Sequence, residues 1–256
     1  MAACAILGSA FATPEMLAGT TPHIVETARG PVTLHRDDAS GGFLLFRHAV
    51  PHRLLPNQIP FRAHALALRA VGCHALLVTS SVGVLDATVP LFSPHLLGDL
   101  LMLDNRLPDG TSCTLYTEPT DGQGHLVLQE GLFSRALSDW LTNRLILPLR
   151  RLTFLYVPGP RTKTGAENQL ARALGAEVNS MTLAPEVVLA NELEIPVAGL
   201  VVGHKLSVPG APASRTSIAA SLDRSRAATR RAVTTFLAEA PVVAFANHIY
   251  RFEGLR

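Results

Sequence analysis

Six short apolar runs recur along the chain: CAILG (4–8), FLLF (43–46), ALLVTS (75–80), DLLML (99–103), LTFLYV (152–157) and VAGLVV (197–202). Several are apolar on both faces. A strand that shows one face to water alternates apolar and polar residues, whereas a strand covered on both faces does not. These runs therefore predict a sheet buried between two layers of helices, and the segments between them fit. In IPFRAHALALRAVG, Phe61, Ala65 and Leu68 share one helical face, and Gly72 suits the C-terminal cap. TGAENQLARALG (164–175) and APEVVLANEL (184–193) read the same way, with Pro185 at the first helical position. The longest pattern is SRTSIAASLDRSRAATRRAVTTFLAEA (214–240), with Ile218, Leu222, Val233 and Phe236 on one side. Its Arg224, Arg226, Arg230 and Arg231 read as a solvated face, with a site for a phosphate polymer as the remote second reading. Strand–helix alternation predicts an α/β fold, a three-layer α/β/α sandwich.

The chain has 256 residues, 48% of them hydrophobic, which is enough for one large domain with a single buried core. No repeat or linker divides it, so residues 1–256 read as one unit, with loops at 105–125 and 206–216. A net charge of +2 gives no electrostatic case for a nucleic acid polymer or a membrane surface. Cys4, Cys73 and Cys113 are scattered and lack CxxC spacing, as expected of reduced thiols in a cytoplasmic protein and not of a disulfide frame or a metal site. The start, MAACAILGSAFA, lacks a basic region and reads as strand plus loop, not as a signal peptide. No run approaches membrane-spanning length.

Three strand ends carry hydroxyls or cations. ILGSAF places Ser9 after a Gly, LLFRHAVPH ends in Arg47 and His48 with His52 following, and LLVTSSVGVL ends in Thr79, Ser80 and Ser81 before Gly83. Hydroxyls, exposed backbone N–H groups and a guanidinium together suit an oxyanion such as phosphate. Singly, each also fits an ordinary satisfied turn; the case rests on all three ending strands of one sheet. A fourth strand, VAGLVV, breaks into Gly203, His204 and Lys205 and leaves through Pro209 and Gly210. An ammonium at the mouth of a buried strand is costly to dehydrate unless something meets it.

GPRTKTGAE (159–167) and GAEVNSMTLAPEVVLA (175–190) resemble two stretches of the trimeric purine nucleoside phosphorylase and methylthioadenosine phosphorylase family. The spacing of Arg47, His48, His52 and Pro56, the segment VGCHALLVTSSVG, and GSAFATPEML also resemble the methylthioadenosine branch. The resemblance spans most of the chain. It implies a mixed, largely parallel central sheet and phosphorolysis of a nucleoside to free base and sugar 1-phosphate. Inorganic phosphate is then the co-substrate, with no metal or organic cofactor. It further implies phosphate contacts from Ser9, Arg47, His48, Ser80, Ser81 and Thr182, ribose contacts from Met181 and His52, base contacts from Lys163, Ser180 and Lys205, and a homotrimer whose neighbouring subunit closes part of each pocket.

The chain departs from that pattern at the base. Relatives end the strand matching VAGLVV in Thr-Asn or Thr-Asp, where this chain has Gly203, His204 and Lys205. The ungapped register puts Lys205 on the Asn/Asp position, and a slip of one residue puts His204 there. The family's Glu or Ser after Gly-Pro is Lys163, preceded by Thr162 in place of an aromatic. An ammonium can only donate hydrogen bonds, so it favours oxo, acceptor-rich or anionic bases over adenine. A dehydrated Lys205, or His204 beside it, is the expected general acid for the departing base. The alternative for Lys205 is an outward ion pair with Glu167. His64 and His74 read as structural. Two other functions fit the same motifs: a nucleoside-binding protein without catalysis, and a nucleoside hydrolase.

Overall fold

The computed structural model describes residues 1–11, 13–119, 123–208 and 217–251, with Ile218 described by its backbone alone. The chain runs β1 (Ala2–Leu7), β2 (Thr20–Val25), β3 (Val32–Asp37), β4 (Phe43–Phe46), α1 (Phe61–Ala70), β5 (Cys73–Val84), β6 (Pro94–Leu101), β7 (Gly124–Val127), α2 (Arg135–Leu145), β8 (Leu152–Tyr156), α3 (Gly165–Ala173), β9 (Val178–Ser180), α4 (Ala184–Glu192), β10 (Val197–Leu206), α5 (Ile218–Glu239) and β11 (His248–Arg251).

Among the described residues nine strands form one mixed sheet in the order β10-β6-β8-β9-β5-β1-β4-β3-β2, and β10 also pairs with β5. Strands β5, β9, β8, β6 and β10 thus close on themselves, while β1, β4, β3 and β2 continue as an open wing. β1 runs parallel to β4 and β5, and β5 parallel to β10, whereas β9 and β6 pair antiparallel with β5 and β10. β5 is the hinge of this topology. Its first half pairs with β1, and its last two residues pair with β9.

Successive residues of the central strands pack against opposite layers, as the unbroken apolar runs require. Cys4, Ile6, Leu76 and Val78 join Ala67 and Leu68 of α1 and Val187 of α4. Ala5, Leu7 and Leu77 join Leu137 and Leu141 of α2 and Val233 and Phe236 of α5. Full burial of one such side chain contributes about 1.5–3 kcal/mol, so both layers are needed to fix the sheet.

Several boundaries differ from expectation. β6 covers Pro94–Leu101 and not 99–103, with Gly98 and Asp99 exposed. β10 does not stop at Val202 but continues through Leu206. α4 starts at Ala184, which makes Pro185 its second residue. The hairpin β2–β3 and helix α2 are additions to the predicted elements. Of the long helical pattern, residues 214–216 lie outside the described residues, as do Pro209, Gly210 and the rest of the loop at 209–216. The arginines of α5 divide. Arg224, Arg230 and Arg231 are exposed, Arg224 with its guanidinium 3.7 Å over the Phe92 ring, whereas Arg226 is half-buried and donates to the Ala10 carbonyl at 3.0 Å. Arg226 therefore ties α5 to the Ser9 loop. No helix among the described residues is long and apolar enough to cross a membrane, and all three cysteines are buried free thiols.

Candidate active site

The ends of β1, β4 and β5 converge through Arg47. Its side chain is 0% exposed. Nε donates to Glu186 Oε1 at 2.7 Å, Nη2 to Glu186 Oε2, and Nη1 to the Thr79 carbonyl at 2.7 Å. Glu186 sits in the first turn of α4, itself 3% exposed. Burial pushes its carboxyl up and the Arg47 charge opposes that push. Both carboxylate oxygens accept from the guanidinium, so the pair is ionised and each charge is met. Two of the five guanidinium N–H groups remain, one on each terminal nitrogen, and Arg47 lines the cleft in front of it. Gly8 makes room for this arrangement, because a Cβ there would lie 3.0 Å from Nη1.

His48 follows Arg47 and is 4% exposed. Burial first, then the Arg47 charge, lowers its pKa to about 3, so the ring is neutral near pH 7. Its Nδ1 is 2.8 Å from the Leu54 carbonyl, which can only accept. The proton therefore sits on Nδ1, and Nε2 is a free acceptor. Ser80 Oγ and Ser180 Oγ are 3.2 Å apart and bring β5 and β9 together at the same cleft.

At the other end, β10 carries a bulge. Gly203 pairs with Val82 but Lys205 pairs with Gly83, leaving His204 as one extra residue. In a regular strand, consecutive side chains point to opposite faces; a bulge re-aims one of them. His204 and Lys205 both line the cleft as a result. Both candidates for the family's Asn/Asp position therefore face the cleft. The outward pairing of Lys205 with Glu167 does not occur: Glu167 instead accepts from Arg161 at 2.6 and 2.9 Å and from the Thr164 N–H at 2.7 Å. Burial, then Lys205 and Lys163, lowers the His204 pKa to about 4. Burial, then the Lys205 charge, lowers Lys163 to about 8.

A single cleft of about 390 Å³ contains this whole arrangement. Ser9, Arg47, His48, Ser80, Ser81, Lys163, Ser180, Met181, Thr182, His204 and Lys205 all line it. The exception is His52, which is exposed and outside the lining, its ring stacked on His48 with centroids 4.5 Å apart. It flanks the site through His48 and does not line the cleft. His64 and His74 do not line the cleft either, and His64 is a buried residue of α1. Sequence reasoning missed Asn168, Asn179 and Ser207, which also line the cleft, and the role of Glu186 behind it. Asn168 Oδ1 and Asn179 Nδ2 are buried without a hydrogen-bond partner. Among the described residues no group of three or more His, Cys, Asp or Glu is placed to hold a metal ion.

A cleft of this volume at strand ends, with hydroxyls and a guanidinium at one end and ammonium groups at the other, is the site of a small-molecule enzyme that handles an anion. The family model described as Phosphorylase superfamily matches residues 9–238. A probable 6-oxopurine nucleoside phosphorylase of Thermococcus kodakarensis is 32% identical over 209 residues, covering 76% of this chain and 75% of that protein. An S-methyl-5′-thioadenosine phosphorylase of Danio rerio is 31% identical over 198 residues, covering 72% and 68%. The fold matches an adenosine/methylthioadenosine phosphorylase structure from Schistosoma mansoni with a TM-score of 0.78 and 21% identity, over 93% of this chain and 91% of that one. The chain belongs to the phosphorylase superfamily, and within it to the nucleoside phosphorylases, which are pentosyltransferases.

Proposed function

We propose that the protein cleaves the N-glycosidic bond of a purine-type nucleoside with inorganic phosphate and prefers oxo or acceptor-rich bases to 6-amino bases. The carrying observation is that Ser9, Arg47 and Ser80 share one cleft with Lys163, His204 and Lys205. Phosphorolysis passes through an oxocarbenium-like sugar. A phosphate held beneath the anomeric carbon supplies both the opposing charge and the nucleophile. The remaining Arg47 N–H groups and the hydroxyls of Ser9, Ser80, Ser81 and Thr182 donate to the phosphate oxygens. His48 Nε2 accepts the P–OH proton of hydrogen phosphate, which orients the attacking oxygen. Met181 lies against the ribose.

As the C–N bond breaks, its electron pair moves to the base. Lys205 and His204 donate to the oxygens or ring nitrogens that gain this charge. Of the cations at this end, Lys163 has an acidity near 8, suited to giving up a proton to the departing base. An exocyclic amine offers these donors nothing to accept with, hence the expected discrimination. Assembly as a homotrimer, with a neighbouring subunit closing part of the cleft, belongs to the same proposal, and light scattering of the purified chain tests it.

The direct test follows base release from inosine, guanosine, adenosine and methylthioadenosine with phosphate present. Preference for the 6-oxo nucleosides supports the reading. Preference for the 6-amino nucleosides contradicts the base assignment.

A further inference from the structure

Asn179, Gly83 and Lys205 occupy one rung of three neighbouring strands. Gly83 of β5 pairs with Asn179 of β9 on one side and with Lys205 of β10 on the other. Glycine at the centre keeps the rung open: a Cβ there would stand 2.7 Å from Ser207 Oγ and 3.3 Å from Asn179 Oδ1. Asn179 is 3% exposed, lines the cleft, and has an Nδ2 without a hydrogen-bond partner. A buried donor left unmade is costly, so this amide is arranged for an acceptor that a ligand brings.

Lys163 and Lys205 border the same end. The described residues lining the cleft include no carboxylate. Glu167, the acid closest to Lys163 along the chain, is held by Arg161 and by its own helix cap. Glu186 is held by Arg47 at the opposite end. Two ammonium groups thus face one half-enclosed space that no carboxylate lines; burial and then the Lys205 charge lower the Lys163 pKa, and Glu167 opposes them only in part. Ser80, at the Arg47 end, precedes Gly83 by three positions, about 10 Å along a strand.

We propose that this rung is a subsite for a heterocycle that is itself an anion near neutral pH, of the imide-bearing 2,6-dioxopurine class. Lys163 and Lys205 meet its charge, and Asn179 Nδ2 donates to one of its acceptors. From the neutral nucleoside such a base departs with the glycosidic electron pair as a monoanion, whose charge Lys163 and Lys205 face; from the ionised nucleoside it needs a proton as it leaves. The inference rests on the nucleoside phosphorylase reading and narrows its substrate.

Calorimetric binding of xanthine and of hypoxanthine to the full chain, in phosphate buffer at a pH where xanthine is ionised, tests it. Xanthine is expected to bind about tenfold tighter or better, since a hydrogen bond to a charged group is stronger than one to a neutral group. Lys163→Gln should remove about tenfold from xanthine affinity and a smaller factor from hypoxanthine affinity, so that the ratio of the two falls. Equal or tighter binding of hypoxanthine by the unsubstituted protein overturns the subsite, and so does a Lys163→Gln variant that binds xanthine as well. Inosine phosphorolysis without a xanthine advantage sinks this inference and leaves the phosphorylase reading standing. Absence of both base binding and nucleoside cleavage sinks both.

Discussion

Glu186 holds Arg47 through both carboxylate oxygens, although 139 positions separate the two residues in sequence. The pair is sealed from solvent, with side-chain exposures of 0% and 1%. It does two things at once: it compensates a buried cation and fixes which guanidinium N–H groups face the cleft. Glu186→Gln leaves the Arg47 charge buried without its counter-charge, at an expected cost of about 3 kcal/mol or more. Urea unfolding reads the stability loss. Initial rates at varied phosphate should show the phosphate KM rising about tenfold, because the donor geometry loosens. An unchanged midpoint together with an unchanged phosphate KM would contradict the positioning role.

Lys205 controls base choice in this account. Lys205→Asp replaces a donor with an acceptor at a position the bulge turns into the cleft. The ratio of kcat/KM for adenosine to that for inosine should rise by about tenfold to a hundredfold, the range that one misplaced polar contact commands. Competition between the two nucleosides in one assay measures that ratio directly. No movement in it would place Lys205 away from the base.

Gly83 is needed for space, not for an unusual backbone angle. Gly83→Ala drives a methyl to within 2.7 Å of Ser207 Oγ. The floor of the cleft must shift, so the nucleoside KM should rise about tenfold while the phosphate KM changes little. A variant with both constants unchanged would show that nucleoside does not lie over this rung.

Acid should destabilise the protein through two histidines. His48 and His64 are each held to about 3, burial first and the Arg47 charge second, against an ordinary 6.5. The unfolded chain takes up these protons near 6.5, and the folded chain does not until far lower pH. The stability they contribute is therefore whole above 6.5 and is lost as pH falls towards 3. Each contributes a slope of about 1.4 kcal/mol per pH unit. Denaturant unfolding at pH 7 and pH 5.5 checks this, and a flat profile would contradict it.

Much of this fold was legible because its strands are covered on both sides. Runs such as FLLF became strands at the expected residues, and Gly72 caps α1 with φ at +66°. The edge hairpin was not legible: β2, TTPHIV, is mostly exposed and contains Pro22, so no apolar pattern marks it. Helix α2 did carry signals, with Ser134 capping Leu137 and Leu137 and Leu141 buried one turn apart. The hydroxyls and the guanidinium that line the cleft could be read because side chains at strand ends keep their place in the sequence. The facing of His204 and Lys205 could not, because a one-residue bulge is set by pairing with Gly83 on a distant strand. Asn179 was hidden for the same reason. Beside Val178 it looks like an ordinary strand residue, and only the rung it shares with Gly83 reveals its empty donor.

The central claim is that one cleft binds phosphate at the Arg47 end and a nucleoside against Lys205, so that phosphate itself breaks the glycosidic bond. The most direct measurement is the rate of hypoxanthine release from inosine as inorganic phosphate is raised from zero. The account predicts no release at zero phosphate, saturable release as phosphate rises, and one ribose 1-phosphate formed per base. Release that proceeds equally without phosphate and yields free ribose would contradict it and point to hydrolysis. No release at any phosphate concentration, from this or any other nucleoside, would leave a binding protein.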